Sequence, residues 1–157
     1  MGGYDVAQIC PNGHVANAHV KTMPEFNQTY CQECGEKTLG ACPACAKPIR
    51  GSYLESFGSF EPPAFCIYCG KSFPWTSQRI EAAIQFSLND EQLNTAEKED
   101  FKQSVGDIVK NTPKAQAAAG RLKRLLLKAS KETAGAVRDI LVDVASETAK
   151  KIIWPNG

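Results

Sequence analysis

Long apolar runs are missing from this 157-residue chain. The densest, Leu125, Leu126 and Leu127, lies between basic residues, whereas a membrane span needs about 18 consecutive apolar residues. Residues 1–10 lack the basic and apolar stretches of an export signal. Val6 stands where a myristoylation signal needs Ser or Thr. A soluble, cytoplasmic protein is expected. Net charge is scarce too, since 18 Lys and Arg against 17 Asp and Glu leave +1. With no HExxH or HxE motif, no side chain is marked as the base of a catalytic metal. A non-enzyme with no catalytic residues is expected.

What the chain does hold is seven cysteines, all within the first seventy residues. With His14 they form four close pairs: Cys10 with His14, Cys31 with Cys34, Cys42 with Cys45, and Cys66 with Cys69. A tetrahedral structural zinc takes four Cys or His ligands, commonly two from each of two tight turns, or knuckles. Four knuckles imply two structural Zn2+ ions, one on three cysteines and a histidine, the other on four cysteines. An odd cysteine count without an export signal speaks against a disulfide framework. Both ligand sets are closed, leaving no position for a reacting water.

The second and fourth knuckles read as copies. Tyr30-Cys31-Gln32-Glu33-Cys34-Gly35 parallels Phe65-Cys66-Ile67-Tyr68-Cys69-Gly70, with an aromatic before the first Cys and a glycine, free to take positive φ, after the second. The first and third both open on Cys-Pro. This repeat favours sequential pairing, Cys10, His14, Cys31 and Cys34 in one site and Cys42, Cys45, Cys66 and Cys69 in the other. Cross-braced pairing of first with third and second with fourth remains the alternative. His14 follows a Pro-Asn-Gly turn and is preferred to His19, which sits in a strand-like stretch.

The fold class that follows is small zinc-stabilised β, as tandem zinc ribbons, and then an α-helical C-terminal module. Residues 1–40 form the first ribbon, 41–75 the second, and 76–157 the helical module. Residues 1–75 hold five Lys or Arg against six Asp or Glu. Metal-bound thiolates make that half more negative still, which disfavours a general nucleic-acid role for the ribbons. Between the last two knuckles Tyr53, Phe57, Phe60, Phe65 and Tyr68, followed by Phe73, Pro74 and Trp75, serve either as the ribbon's small core and its seam with the next helix or as an exposed contact patch.

In the helical half, Thr76 or Ser77 is the expected N-cap of a first helix ended by Asn89-Asp90. A second helix begins near Thr95. Thr112-Pro113 then opens a long amphipathic helix from about 113 to 153, or two helices meeting near Gly135. Its apolar row is Leu122, Leu126, Ala129, Thr133, Val137, Ile140, Leu141, Val144, Thr148 and Ile152. Lys114, Arg121, Lys123, Arg124, Lys128 and Lys131 make residues 114–131 basic. They have three possible counterparts: the chain's own acidic segment 81–107, nucleic acid or anionic lipid, or water alone. Asp139, Asp143 and Glu147 line one face, with Lys150 and Lys151 at hand to pair with them.

Val6 to His14, Pro24-Glu25-Phe26, the repeated Cys-x-x-Cys-Gly units, Pro48-Ile49-Arg50-Gly51 and Lys71 to Thr76 together resemble an uncharacterised bacterial double zinc-ribbon family, domain of unknown function 2321. The resemblance spans nearly the whole chain and brings no activity with it. It is also similar to double zinc ribbons generally, which implies an adaptor or nucleic-acid-contact module. His14 departs from the all-cysteine ribbon. A looser likeness joins residues 138–149 to helical tails of bacterial defence-associated proteins. The expected function is a non-enzymatic zinc-binding adaptor or protein-interaction module, whose helical half oligomerises or docks a protein partner. The rivals are a nucleic-acid-binding regulator using residues 114–131 and a membrane-active or defence-associated effector.

Overall fold

Glycine and proline are concentrated in the first half of the chain, where the described residues form short strands and a 3-10 turn, Pro24–Phe26. In a computed structural model, residues 2–56 and 58–156 are described, so Phe57 of the aromatic segment lies outside the described residues. The strands are β1 (Tyr4–Val6), β2 (Gln8–Ile9), β3 (Val15–Asn17) and β4 (Arg50–Tyr53). They pair as two antiparallel two-stranded sheets, β1 with β4 and β2 with β3. Five helices follow: α1 (Pro74–Leu88), α2 (Thr95–Ile108), α3 (Pro113–Lys128), α4 (Lys131–Leu141) and α5 (Glu147–Ile153). The contacts divide the chain into Met1–Ser77 and Gln78–Gly157, a boundary that falls inside α1.

The first unit has one core, shared by both ribbons. Ala7, Ile9, Ile49, Phe73 and Trp75 cluster there with Cys42 and Cys66. Because β1 from the first ribbon pairs with β4 from the second, the ribbons are interlocked and do not stand as separate beads. Three backbone segments cross at Gly51, where an added Cβ would lie 2.4 Å from the Ala18 carbonyl oxygen and 2.7 Å from the Val6 carbonyl carbon. Only glycine fits there. Asp5, buried beside this crossing, accepts hydrogen bonds from the amides of Val6 (2.6 Å), Lys21 (2.9 Å) and Thr22 (3.1 Å) and from the Thr22 hydroxyl (2.6 Å).

The first helix starts at Pro74, earlier than the expected cap at Thr76 or Ser77. Proline needs no amide partner in a first turn. Phe73 supplies the leading carbonyl to Thr76 and Ser77. The Thr76 hydroxyl instead donates to the Ala64 carbonyl at 2.9 Å, anchoring the helix start to the fourth knuckle. At the next helix, Asn94 and Glu97 form a reciprocal capping box.

Residues 113–153 form three helices and not the long helix, or pair meeting near Gly135, expected from periodicity. Gly135 lies inside α4. The breaks fall at Ser130 and Ser146, whose side chains accept the amides of Thr133 and Ala149 as N-caps. The phase of burial survives the first break and shifts at the second. Leu122, Leu126, Thr133, Val137 and Leu141 are buried as the apolar row requires, but Ala145, Ala149 and Ile153 follow, one residue beyond the expected Val144, Thr148 and Ile152. Helix α3 is the hub, packing against α2, α4 and α5. Its small buried residues Ala115, Ala118 and Ala119 permit that close approach.

One buried carboxylate fixes the first restart. Asp90, just past α1, accepts the Ser130 amide (3.0 Å), the Ser130 hydroxyl (2.9 Å) and the Gln92 amide (2.8 Å). Burial pushes its carboxyl up, but the Thr133, Gln92 and Ser130 donors outweigh that and hold it at about 2. The depressed value means that this contribution is complete above the usual carboxylate range and is lost as pH falls from about 4 towards 2. We predict that Asp90→Asn lowers stability by roughly 1–3 kcal/mol and flattens the acid limb of the unfolding profile. Denaturant titration followed by circular dichroism from pH 2 to 7 checks this; an unchanged midpoint at pH 7 would refute it.

Candidate metal centres

Each knuckle is a backbone hairpin whose first cysteine both donates and accepts. The Cys31 amide bonds the Glu36 carbonyl and the Gly35 amide bonds the Cys31 carbonyl, both at 2.8 Å. Cys42 with Lys47 and Ala46, and Cys66 with Lys71 and Gly70, repeat the pattern at 2.8 to 2.9 Å. Such a turn needs a left-handed residue, and Gly35 (φ 78°), Gly70 (φ 74°) and Ala46 (φ 63°) occupy that place. Ala46 is the one non-glycine of the three. In the Cys10 knuckle, Gly13 at φ 91° turns the chain into His14.

These turns bring the eight candidate ligands into two groups of four. Cys10, His14, Cys31 and Cys34 form one, Cys42, Cys45, Cys66 and Cys69 the other, with the ligand atoms of each group within 4.8 Å of one another. The arrangement is sequential, not cross-braced. His14 presents Nδ1, 3.4 Å from the Cys10 sulfur and 3.5 Å from that of Cys31. His19 is not among the clustered residues.

The spacing suits an ion at each centre. Metal–sulfur bonds of about 2.3 Å in a tetrahedron place the sulfurs about 3.8 Å apart, and a nitrogen ligand sits about 3.6 Å from each sulfur. Observed sulfur separations are 3.7 Å for Cys10 and Cys34, 3.8 Å for Cys42 and Cys69, and 3.7 Å for Cys45 and Cys66. A disulfide requires about 2.05 Å. Two clusters capable of coordinating a metal ion are therefore present.

Protein donors favour thiolate at two positions, Cys34 and Cys66. The Asn12 side chain donates to the Cys34 sulfur at 3.2 Å and, with the Glu36 amide, holds that thiol down at about 6. The amides of Cys69 and Tyr68 lower Cys66 to about 7. At Cys45 the Lys47 amide acts in the same direction, yet burial and the neighbouring Cys66, Cys42 and Cys69 prevail and raise it to about 11. One cysteine of each group, Cys34 and Cys69, is an exposed residue, Cys45 is half-buried, and Cys10, Cys31, Cys42 and Cys66 are buried.

Residues 3–153 match the model of a family described as uncharacterized protein conserved in bacteria, domain of unknown function 2321. The chain belongs to that family. No curated protein and no solved structure matches the chain. The domain of unknown function 2321 is thus, in this member, a β module with two zinc-ribbon-like Cys/His sites followed by a bundle of five helices.

The aromatic positions of this member divide between two roles. Phe73 and Trp75 are buried and stacked, with ring centres 4.6 Å apart, and the Trp75 indole donates to the Pro63 carbonyl at 2.8 Å. Tyr30, Tyr53 and Tyr68 are exposed. Tyr30 at 62% exposure gives its cluster little cover. Asn12 and Asp5 went unmarked in the sequence. The Pro-Asn-Gly turn next to His14 signalled Asn12, whereas no local pattern signalled Asp5.

Gly35 and Gly70 isolate the backbone requirement, because among the described residues an added methyl at either meets no atom within 4 Å. We predict that Gly35→Ala and Gly70→Ala each lower the stability of the metal-loaded protein by about 1 kcal/mol. Ala46→Gly should raise it by roughly 0.5 kcal/mol, the strain relieved exceeding the added freedom of the unfolded chain. Denaturation followed by tryptophan emission reads all three; a destabilised Ala46→Gly would contradict the assignment of strain.

Proposed function

We propose that the protein is a non-enzymatic adaptor, in which two structural Zn2+ ions hold a double ribbon that presents a recognition surface and the helical half docks a protein partner or oligomerises. The observation that carries this reading is closure: each cluster offers four protein donors at tetrahedral spacing, and seven of the eight are cysteine sulfurs. Thiolate-rich tetrahedral sets select zinc over the harder divalent ions and make it a poor Lewis acid. The buried carboxylates serve the fold. Asp5 is engaged by Thr22, Lys21 and Val6 and lowered to about 2 despite its burial, and Asp90 is engaged in the same way. A general base would instead be poised near neutral pH.

The charges on α3 bear on the rivals. Arg121 reaches Asp107 at 3.9 Å and the Ser104 hydroxyl at 3.3 Å, and Lys128 pairs with Glu97. Two of the six basic residues of 114–131 are therefore paired with the chain's own acidic segment. Arg79 with Asp143 and Lys150 with Glu147 account for most of the acidic face. Lys114, Lys123, Arg124 and Lys131 form no ion pair among the described residues. They support a nucleic-acid-binding regulator as the second reading. Its signature is salt-sensitive binding that weakens when Lys123 and Arg124 are neutralised. Among the described residues, no helix is long and apolar enough to cross a membrane.

We predict two zinc ions per chain and a selective response to their removal. Trp75 sits in the core cluster with Cys42 and Cys66, so a strong chelator should shift its emission to longer wavelength. Helical circular dichroism from α2 to α5 should largely persist. Metal analysis giving fewer than two equivalents, or loss of all helical signal on chelation, would count against this assignment. For the adaptor role the test is light scattering and mild crosslinking of the full-length chain from its native host; a monomer that recovers no stoichiometric partner would overturn it.

A further inference from the structure

The two like knuckles fold alike and differ at their tips. In each, the amide two residues past the first cysteine donates to that cysteine's sulfur at 3.4 Å, from Glu33 to Cys31 and from Tyr68 to Cys66. The flanking bridges also correspond, Tyr30 with Lys37 and Phe65 with Ser72. Yet one tip is Gln32-Glu33 and the other Ile67-Tyr68, with Ile67 54% and Tyr68 60% exposed. The polar pair shows that this hairpin needs no apolar tip to form.

Ile67 also borders a cleft of about 360 Å³, the size of a small-ligand or short-peptide site. Tyr4, Tyr53, Phe60, Phe65 and Pro63 form much of its wall. Tyr4 and Tyr53 meet edge to face at 5.4 Å. The Arg50 guanidinium, which also lines the cleft, is held 4.3 Å above the Tyr4 ring and stays positively charged. Glu61 lines the same cleft and has no ion-pair partner among the described residues. Flat rings beside an apolar tip suit the rigid rings of an extended proline-containing segment, which loses little entropy on docking. The charge leans the same way: residues 1–75 hold five basic against six acidic residues, and thiolates binding zinc would make that balance more negative, favouring a cation over a phosphate.

We propose that Ile67, Tyr68 and the adjoining cleft bind an extended, proline-containing segment of a partner protein, with an arginine or lysine of that segment facing Glu61. This rests on the adaptor reading and names the partner's chemistry. The probe is a synthetic decapeptide with a Pro-x-x-Pro core and one flanking arginine, titrated into isotopically labelled, zinc-loaded full-length protein. Saturable amide shifts are expected around residues 48–54 and 64–69. The double variant Ile67→Gln, Tyr68→Glu copies the sister tip; it should retain two zincs and a dispersed spectrum while weakening binding by at least about tenfold. Glu61→Gln should weaken the arginine peptide several-fold and leave an uncharged version unaffected. No shifts at millimolar peptide, equal binding by the tip variant, or stronger shifts of the same resonances by a single-stranded oligonucleotide would each overturn the proposal. A native partner still recovered in the face of those results would leave the adaptor reading standing without this site.

Discussion

Two sets of four donors, each gathered as the corners of a tetrahedral metal site would require, organise the first half of this protein. Among the described residues no strand there exceeds the four residues of β4, and such short ribbons are not stable alone in water. The core has few members, and two of them, Cys42 and Cys66, are also ligands. Packing and coordination therefore cannot be separated: the residues that bury apolar surface are held together by the donors that would bind the ion. Metal affinity becomes folding free energy in such a module. The Gly51 crossing and the Asp5 hydrogen bonds refine a chain path that the knuckles must first bring close.

The helical half works by different physics. Its stability comes from burying Phe101, Val105, Ile108, Leu122, Val137 and Leu141 around α3, with polar groups deciding where helices stop. Asp90 joins segments forty residues apart by accepting from Ser130, which also caps α4. A carboxylate so buried is favourable only when its lone pairs are filled, and its donors fill them. This unit needs no metal in its accounting, and the two halves can carry separate tasks.

What was readable in the sequence follows from how local each cause is. The ligand spacing is local, so the knuckles and the positive-φ glycines could be read directly, whereas the grouping of the knuckles joins distant residues and the repeat only favoured the sequential order over the cross-braced one. Helical periodicity is also local, and the buried row of α3 and α4 followed it through Leu141. The breaks at Ser130 and Ser146 were missed because a serine in an amphipathic row looks like a surface residue until a distant partner, Asp90 in the first case, makes it a cap. At the second break the phase shifts, and Ala145, Ala149 and Ile153 replace their neighbours in the core. The pairing of β1 with β4 joins residues some forty-seven positions apart, and no pattern within either segment encodes it. Ala46 was hidden for another reason: alanine rarely marks positive φ, and only alignment with the glycines of the sister knuckles gives it away.

Internal repetition separates what the frame requires from what it carries. Where the knuckle copies agree, the shared feature answers to backbone geometry or coordination: cysteines at fixed spacing, a left-handed residue after the second, an amide aimed at the first sulfur. Where they disagree without altering that geometry, the difference needs a cause outside the hairpin. Gln32-Glu33 is soluble and sufficient, so the exposed Ile67-Tyr68 is not explained by folding. A scattered apolar surface residue would need no explanation. One contiguous with an aromatic cleft does, because removing that combined surface from water is favourable only when something covers it.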